Sequence, residues 1–117
     1  MASILESVKK QLGIDAAYTQ FDPDLIMHIN SVFSILTQIG VGDDAGFSIT
    51  GDTEEWTDFL QDDPRIEMVK SYVGLKVRMI FDPPTSNPIA DAINKNIAEL
   101  EYRMYVLTDN DRQDKKG

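Results

Sequence analysis

Three prolines within ten residues, in the stretch MIFDPPTSNP at 79–88, constrain the fold of this chain more than any other feature. Proline cannot continue a helix and restricts the residue before it, so the DPP at 82–84 must end the apolar helix that precedes it. Ser86 or Asn87 can cap the next helix, with Pro88 inside its first turn. The stretch therefore predicts a short, rigid turn between two helices that form an antiparallel hairpin.

The two helices of this hairpin carry apolar residues at helical spacing. The helix over 64–82 starts with Asp63 as its cap and Pro64 at its first position. It is apolar on two stripes, which predicts a central helix with neighbours on most sides. Gly74 lies inside it and costs about 1 kcal/mol relative to alanine, so its presence indicates close contact with another helix. The helix after the turn has one apolar face, formed by Ile89, Ile93, Ile97, Leu100, Met104 and Leu107.

The remaining sequence predicts three more helices and one irregular segment. A helix over 3–12 is capped by Ser3. A second has Asp22 as its cap and Pro23 at its first position, and ends at Gly40 and Gly42. A short third is capped at Thr53 and runs to about Leu60. Four glycines punctuate GVGDDAGFSITGD at 40–52, which predicts a compact loop or a β-hairpin.

We therefore expect an all-α domain, a small bundle of about five helices with a loop or β-hairpin insertion near residues 43–52. This domain is predicted to span residues 1–108. Residues 109–117 contain charges and no apolar side chain, which predicts a flexible C-terminal tail in the free monomer.

Charge is distributed unevenly along the chain. Among 117 residues there are 20 acids and 11 bases, giving a net charge of −9. No Lys or Arg lies between Lys10 and Arg65, and 11 of the acids fall there. One interpretation is a solvated acidic surface that aids solubility. The alternatives are electrostatic matching between copies, head to tail, or an acidic surface that DNA passes without binding.

The residues offer no catalytic, metal or cofactor site. Cysteine is absent, and His28 is the only histidine, with no ligand or acid–base partner at helical spacing. An EF-hand beginning at Asp43 would place Ala45 and Phe47 at ligand positions. Ser and Thr lack a cooperating histidine, and the glycines do not form a phosphate loop. We expect a protein that is not an enzyme, with no cofactor and no metal.

Neither a membrane span nor a signal peptide is evident. No apolar run approaches the roughly 18 residues that a membrane span needs. The start, MASILESVKKQLG, mixes acids and bases at helical spacing. We therefore expect an intracellular protein without membrane contact.

Three stretches carry a resemblance to a known family: DLIMHINSVFSILTQIGVG, MVKSYVGLKVRMIFDPP and AINKNIAELEYRM. Their helix order, FDPP turn and closing helix resemble those of the head–tail connector proteins of tailed bacteriophages and prophages, also called adaptor or head-completion proteins. The resemblance spans about residues 4–107. It implies a structural virion protein, made in the bacterial host cytoplasm and placed in the neck of the particle.

The resemblance also implies partners. Such proteins form a twelvefold ring beneath the portal, extend the DNA channel without binding DNA specifically, and dock the next neck or tail-completion protein. We expect the charged tail and the loop at 40–52 to become ordered only on assembly. We also expect the last helix and the tail to reach the portal side. The candidate interface residues are Asp43, Asp44, Phe47, Tyr102, Tyr105, Arg112, Lys115 and Lys116.

Two other classes of protein remain open. An acidic DNA mimic that inhibits a nucleic-acid enzyme would suit the net charge, although many acids cluster at helix starts and in loops. A helical adaptor of a bacterial host, unrelated to phage, would also suit the composition. Inhibition of a DNA-binding enzyme would identify a mimic, and ring formation would separate a connector from a host adaptor.

Overall fold

Five helices are present in the computed structural model, which describes residues 3–61 and 64–116, with side chains for 3–61 and 64–108. They are α1 (Ile4–Gln11), α2 (Asp22–Ile39), α3 (Trp56–Phe59), α4 (Ile66–Phe81) and α5 (Asn87–Lys116). No β-strand occurs in these ranges, and residues 43–52 form a loop. The predicted all-α bundle is confirmed, and of the two alternatives for the insertion the loop is correct.

The helix boundaries follow local sequence signals. The Ser3 hydroxyl accepts a hydrogen bond from the Glu6 backbone N–H at 3.1 Å, which confirms the predicted cap of α1. Gly40 ends α2 in the left-handed conformation, with φ 101°, where a side chain would be strained. The predicted Asp22 cap is wrong, because α2 begins at Asp22 itself and the Asp22 side chain pairs elsewhere.

Two other helix starts differ from expectation. α3 is capped by Glu55, not Thr53, and the Glu55 N–H donates to the Asp58 carboxylate at 2.8 Å. α4 begins at Ile66, two residues after Pro64. Asp63, the expected cap residue, lies outside the described residues.

The core lies mainly between α2 and α4, which form the most extensive contact between helices. α4 also contacts α1 and α5, which confirms its predicted central position. The ring centres of Phe21 and Phe81 are 5.2 Å apart, so the start of α2 lies beside the end of α4. The fully buried side chains at this contact are Leu25, Ile29, Val32, Phe33 and Leu36 on α2, and Val69, Tyr72, Val73 and Val77 on α4.

Two polar contacts fix α4 and α5 as an antiparallel hairpin. The Tyr72 hydroxyl donates to Glu101 Oε1 at 3.0 Å, and the Arg65 guanidinium at the start of α4 donates to the Thr108 hydroxyl at 2.6 Å. Residues near the start of α4 thus meet residues late in α5. The hairpin predicted from the DPP turn is confirmed.

Gly74 provides the close approach that the sequence predicted. The residue is buried on α4, and a Cβ added there would lie 1.7 Å from Gln11 Oε1. The Gln11 side-chain amide donates to the Lys70 carbonyl at 3.4 Å. α1 therefore rests against α4 where a side chain is missing.

A buried lysine holds the connector between α1 and α2. Lys9 is 2 % exposed, and its ammonium donates to the backbone carbonyls of Ala16 and Tyr18. The same ammonium lies 2.9 Å from Asp22 Oδ1. Because three oxygens surround the charge, its loss of hydration is compensated, and residues 16–22 are fixed against α1.

The last helix is longer than its apolar pattern. The pattern ends at Leu107, whereas α5 continues to Lys116. The backbone of 109–116 is therefore helical. The flexibility of this segment in the free monomer, and its separation from the domain at 1–108, stay predictions.

Replacing Lys9 by methionine is expected to lower the free energy of unfolding by about 2 to 4 kcal/mol, because Asp22 and two carbonyls lose their partner. Chemical denaturation measures the change. Lys10→Met, at the exposed neighbouring position, is the control and should stay within about 0.5 kcal/mol of wild type. Equal effects of the two substitutions would contradict a structural role for Lys9.

Replacement by alanine is expected to affect two glycines to different extents. Gly42 has φ 90°, and an added Cβ would lie 2.7 Å from the Phe59 ring, so Gly42→Ala should destabilise by about 1 to 3 kcal/mol. At Gly74 the obstructing Gln11 side chain is exposed and can turn away, while helix propensity improves. Gly74→Ala should therefore remain within about 1 kcal/mol of wild type in thermal unfolding. A larger loss at Gly74 than at Gly42 would contradict this reading.

Candidate assembly surfaces

The acidic loop, residues 42–55, is held in place by α2 and α1. The Asn30 side chain accepts from the Ile49 N–H at 2.7 Å and donates to the Ile49 carbonyl at 3.0 Å, so it pairs with the loop as a neighbouring strand would. The Ile4 N–H donates to the Glu54 carbonyl at 2.8 Å. Contacts within one molecule therefore position the loop, contrary to the expectation that it becomes ordered on assembly.

Glu54 fastens the second half of this loop. Its Oε2 atom accepts from the Thr50 N–H at 2.7 Å and from the Thr50 hydroxyl at 3.0 Å. Burial acts to raise the pKa of Glu54, but the hydrogen bonds from Thr50 outweigh it and hold the pKa below its ordinary value. The ionised carboxylate is therefore the form that holds the loop closed.

Phe47 belongs to an aromatic cluster beneath the loop. Its ring centre lies 5.1 Å from that of Phe33 and 5.2 Å from that of Phe59. The residue is half-buried, so packing explains much of its presence. Its predicted interface role stays a prediction.

The loop contains a tight turn at residues 43–46. The Gly46 N–H donates to the Asp43 carbonyl at 2.9 Å, and the Ala45 N–H donates to the Asp43 carboxylate at 3.0 Å. These bonds fix the turn and leave the side chains of Asp44 and Ala45 exposed at its tip. The structure thus places the predicted interface residues Asp43 and Asp44 on an exposed turn with two internal hydrogen bonds.

The second candidate surface lies on α5, and a buried tyrosine orients it. Tyr72 is fully buried, and both its hydroxyl and, at 3.8 Å, the Lys76 ammonium approach Glu101 Oε1. Burial first, and then the hydrogen bond and negative charge of Glu101, raise the pKa of Tyr72 well above its ordinary value. Tyr72 therefore remains a neutral donor that fixes the rotation of α5.

The outer side of α5 exposes apolar side chains. Tyr102 is 69 % exposed and Tyr105 is 58 % exposed, which makes them the two most exposed aromatic residues of the described chain. A shallow groove beside them is lined by Met68, Tyr102, Arg103, Val106 and Leu107. We call this the α4–α5 groove.

The predicted interface residues fall into separate groups. Asp43, Asp44 and Phe47 share the acidic loop, whereas Tyr102 and Tyr105 lie on α5. The remaining three, Arg112, Lys115 and Lys116, fall in the helical backbone of α5, but their side chains lie outside the described residues. Sequence reasoning missed the α4–α5 groove, because Met68 fits a core stripe and Val106 lies outside the apolar face of α5.

The described side chains form no cluster of three or more His, Asp or Glu able to hold a metal ion. His28 is half-buried, with its ring centre 6.5 Å from that of Phe81. None of the helices, over the residues described, combines the length and apolar character that crossing a bilayer requires. The notable surfaces of this bundle are therefore the exposed acidic turn at 43–46 and the aromatic face of α5.

A bundle with this helix order and these surfaces agrees with the connector class, and comparison with family models supports it. The family model for phage connector proteins matches residues 4–111, nearly the whole chain, so the chain belongs to the phage connector protein family. Neither the search of curated proteins nor that of solved structures found a match. Membership makes this a structural phage protein that contacts other head or tail proteins of the particle.

Acid is expected to loosen the loop through Glu54. A group whose pKa is lowered by folding contributes stability above its unfolded pKa, and that contribution disappears as pH falls through the folded pKa. The wild-type chain should therefore lose free energy of unfolding as the pH falls from neutral to about 3. The Glu54→Gln variant should lose less over the same range, because it has no carboxylate at this position to protonate. Denaturation across this range provides the measurement. Asp44→Asn, at the exposed turn tip, is the control, and an equal change in both variants would contradict the role of Glu54.

Proposed function

We propose that this chain forms an oligomeric ring between the phage portal and the tail, extends the DNA channel and docks the next neck component. Family membership supports a structural role at the connection of head and tail. The ring, its twelvefold symmetry and the portal contact are our proposals.

The observation that best supports a ring is the separation of charge between two parts of one folded domain. Residues 11–64 contain 11 acids and no base, whereas residues 65–117 contain eight acids and nine bases. The first part contains α2, the acidic loop and α3, and the second part contains the α4–α5 hairpin. A ring requires each subunit to join two different surfaces. A strongly acidic surface is repelled less by a slightly basic surface than by another acidic one, which favours contact between unlike parts of neighbouring copies.

A DNA mimic is less well supported by the same acids. Asp22 pairs with Lys9, Glu54 binds Thr50, and Asp58 accepts a hydrogen bond from the Glu55 N–H at the start of α3. Their positions are thus explained by contacts within the fold, whereas a mimic needs acids that face solvent at regular spacing. An acidic surface in a ring has a further use, since it would let DNA slide along the channel wall.

We further propose that α5 makes the portal contact, from Tyr102 and Tyr105 to Arg112, Lys115 and Lys116. The two tyrosines are large and exposed, which is typical of residues that anchor protein interfaces. Beyond them α5 continues for about two turns past Thr108 to Lys116. A helix of this length provides an extended arm for docking.

Removing residues 109–117 is expected to abolish or strongly weaken binding to the portal protein, while the domain still folds. This truncation keeps Thr108, whose hydroxyl accepts from Arg65. Sedimentation of purified portal mixed with full-length or truncated chain measures the binding, and circular dichroism checks the fold. Unchanged portal binding by a folded truncated chain would overturn the assignment of α5 to the portal.

A further inference from the structure

The α4–α5 groove has the chemistry to bind a small turn that carries a carboxylate. Its floor and walls come from Met68, Val106 and Leu107, with Leu107 39 % exposed. Its one charged lining residue is Arg103, which reaches Glu99 at 2.6 Å in an exposed i,i+4 pair. Exposed pairs of this kind contribute little stability, so the guanidinium is free to take a second carboxylate.

The acidic loop supplies an exposed turn that carries the opposite charge to Arg103. The turn at 43–46 is fixed by two internal hydrogen bonds and presents a carboxylate, Asp44, beside a methyl group, Ala45. Asp44 has no hydrogen-bond or ion-pair partner among the residues that the structure describes. Because the turn is already ordered, little conformational entropy would be lost when it docks.

Charge favours a second copy of this chain as the occupant. The turn belongs to the segment with 11 acids and no base, and the groove belongs to the segment whose nine bases outnumber its eight acids. Each molecule has one such turn and one such groove, on different elements. A contact between unlike surfaces leaves a free turn at one end and a free groove at the other, so it can continue around a ring.

We propose that the turn at 43–46 of one copy docks in the α4–α5 groove of the next copy, with Asp44 paired to Arg103 and Ala45 against Val106 and Leu107. This inference rests on the proposed ring and assigns its contact between subunits. Tyr105 is not among the residues that line the groove, so it remains available for the portal. Tyr102 borders both surfaces and is left unchanged in the tests.

Cysteine linking tests the contact directly, because the natural chain contains no cysteine. Leu107→Cys and Ala45→Cys variants are mixed, with and without portal, and treated with a short bismaleimide linker. The mixed dimer joins one Leu107→Cys chain to one Ala45→Cys chain. The proposal predicts that its fraction among all linked dimers, measured by intact mass, exceeds the fraction expected from random pairing. The control replaces Ala45→Cys by Ser31→Cys, an exposed position on α2, and should give only the random share.

Charge exchange provides a second test. Arg103→Glu alone and Asp44→Arg alone should each reduce mixed-dimer linking, because like charges would then meet across the contact. Both substitutions together in every copy should restore it, because every contact again joins opposite charges. Thermal unfolding of each variant shows that the fold is kept.

The outcomes separate this contact from the proposed function. A ring on the portal without excess linking between positions 107 and 45 would overturn the contact and leave the function intact. Linking to the portal protein instead of a second copy would likewise overturn it. Excess linking without any portal binding would support the contact and contradict the proposed function.

Discussion

The packing of α2 against α4 is the contact on which the rest of this structure depends. The two helices bury aliphatic and aromatic side chains, including the fully buried Phe33 of α2 and Tyr72 of α4. Both proposed surfaces are attached to this contact. The acidic loop begins where α2 ends and rests its aromatic cluster on Phe33, while Tyr72 of α4 orients α5 through Glu101. Loss of this contact would therefore disturb both surfaces at once.

Polar contacts fix the connector, the acidic loop and α5 in position on this small bundle. Lys9 binds the connector before α2, Asn30 binds the loop after it, and Arg65 binds the far part of α5 through Thr108. Lys9 and Asn30 satisfy backbone groups that lie outside regular structure, and Arg65 donates to a side-chain hydroxyl of α5. The elements carrying the surfaces are thus positioned by hydrogen bonds, and the stability comes mainly from apolar burial.

Much of the fold could be predicted from the sequence, because its signals are local. Prolines at 83 and 84 end α4, Gly40 ends α2, and helical periodicity marks the apolar faces of α2, α4 and α5. The Asp22 cap was wrong because a distant residue, Lys9, recruits that carboxylate. No pattern in sequence shows such a pair, since its partners come together only in the folded chain.

The surfaces were less predictable than the fold. The acidic loop was evident from its glycines and aspartates, but its anchoring by Asn30 and Glu54 was not, because both are ordinary polar residues in sequence. The groove escaped notice because it lies between α4 and α5, where Met68 of one helix meets Val106 and Leu107 of the other. Its shape depends on the register of the hairpin, which the Tyr72 and Arg65 contacts set.

The connection of one domain to a portal is the central claim, and electron microscopy of the protein mixed with its portal tests it most directly. Particles are classified by rotational symmetry, and the full-length chain is used throughout. The account predicts a twelvefold ring stacked on the portal axis, with α5 toward the portal. A chain that remains a small species and leaves the portal bare would contradict it.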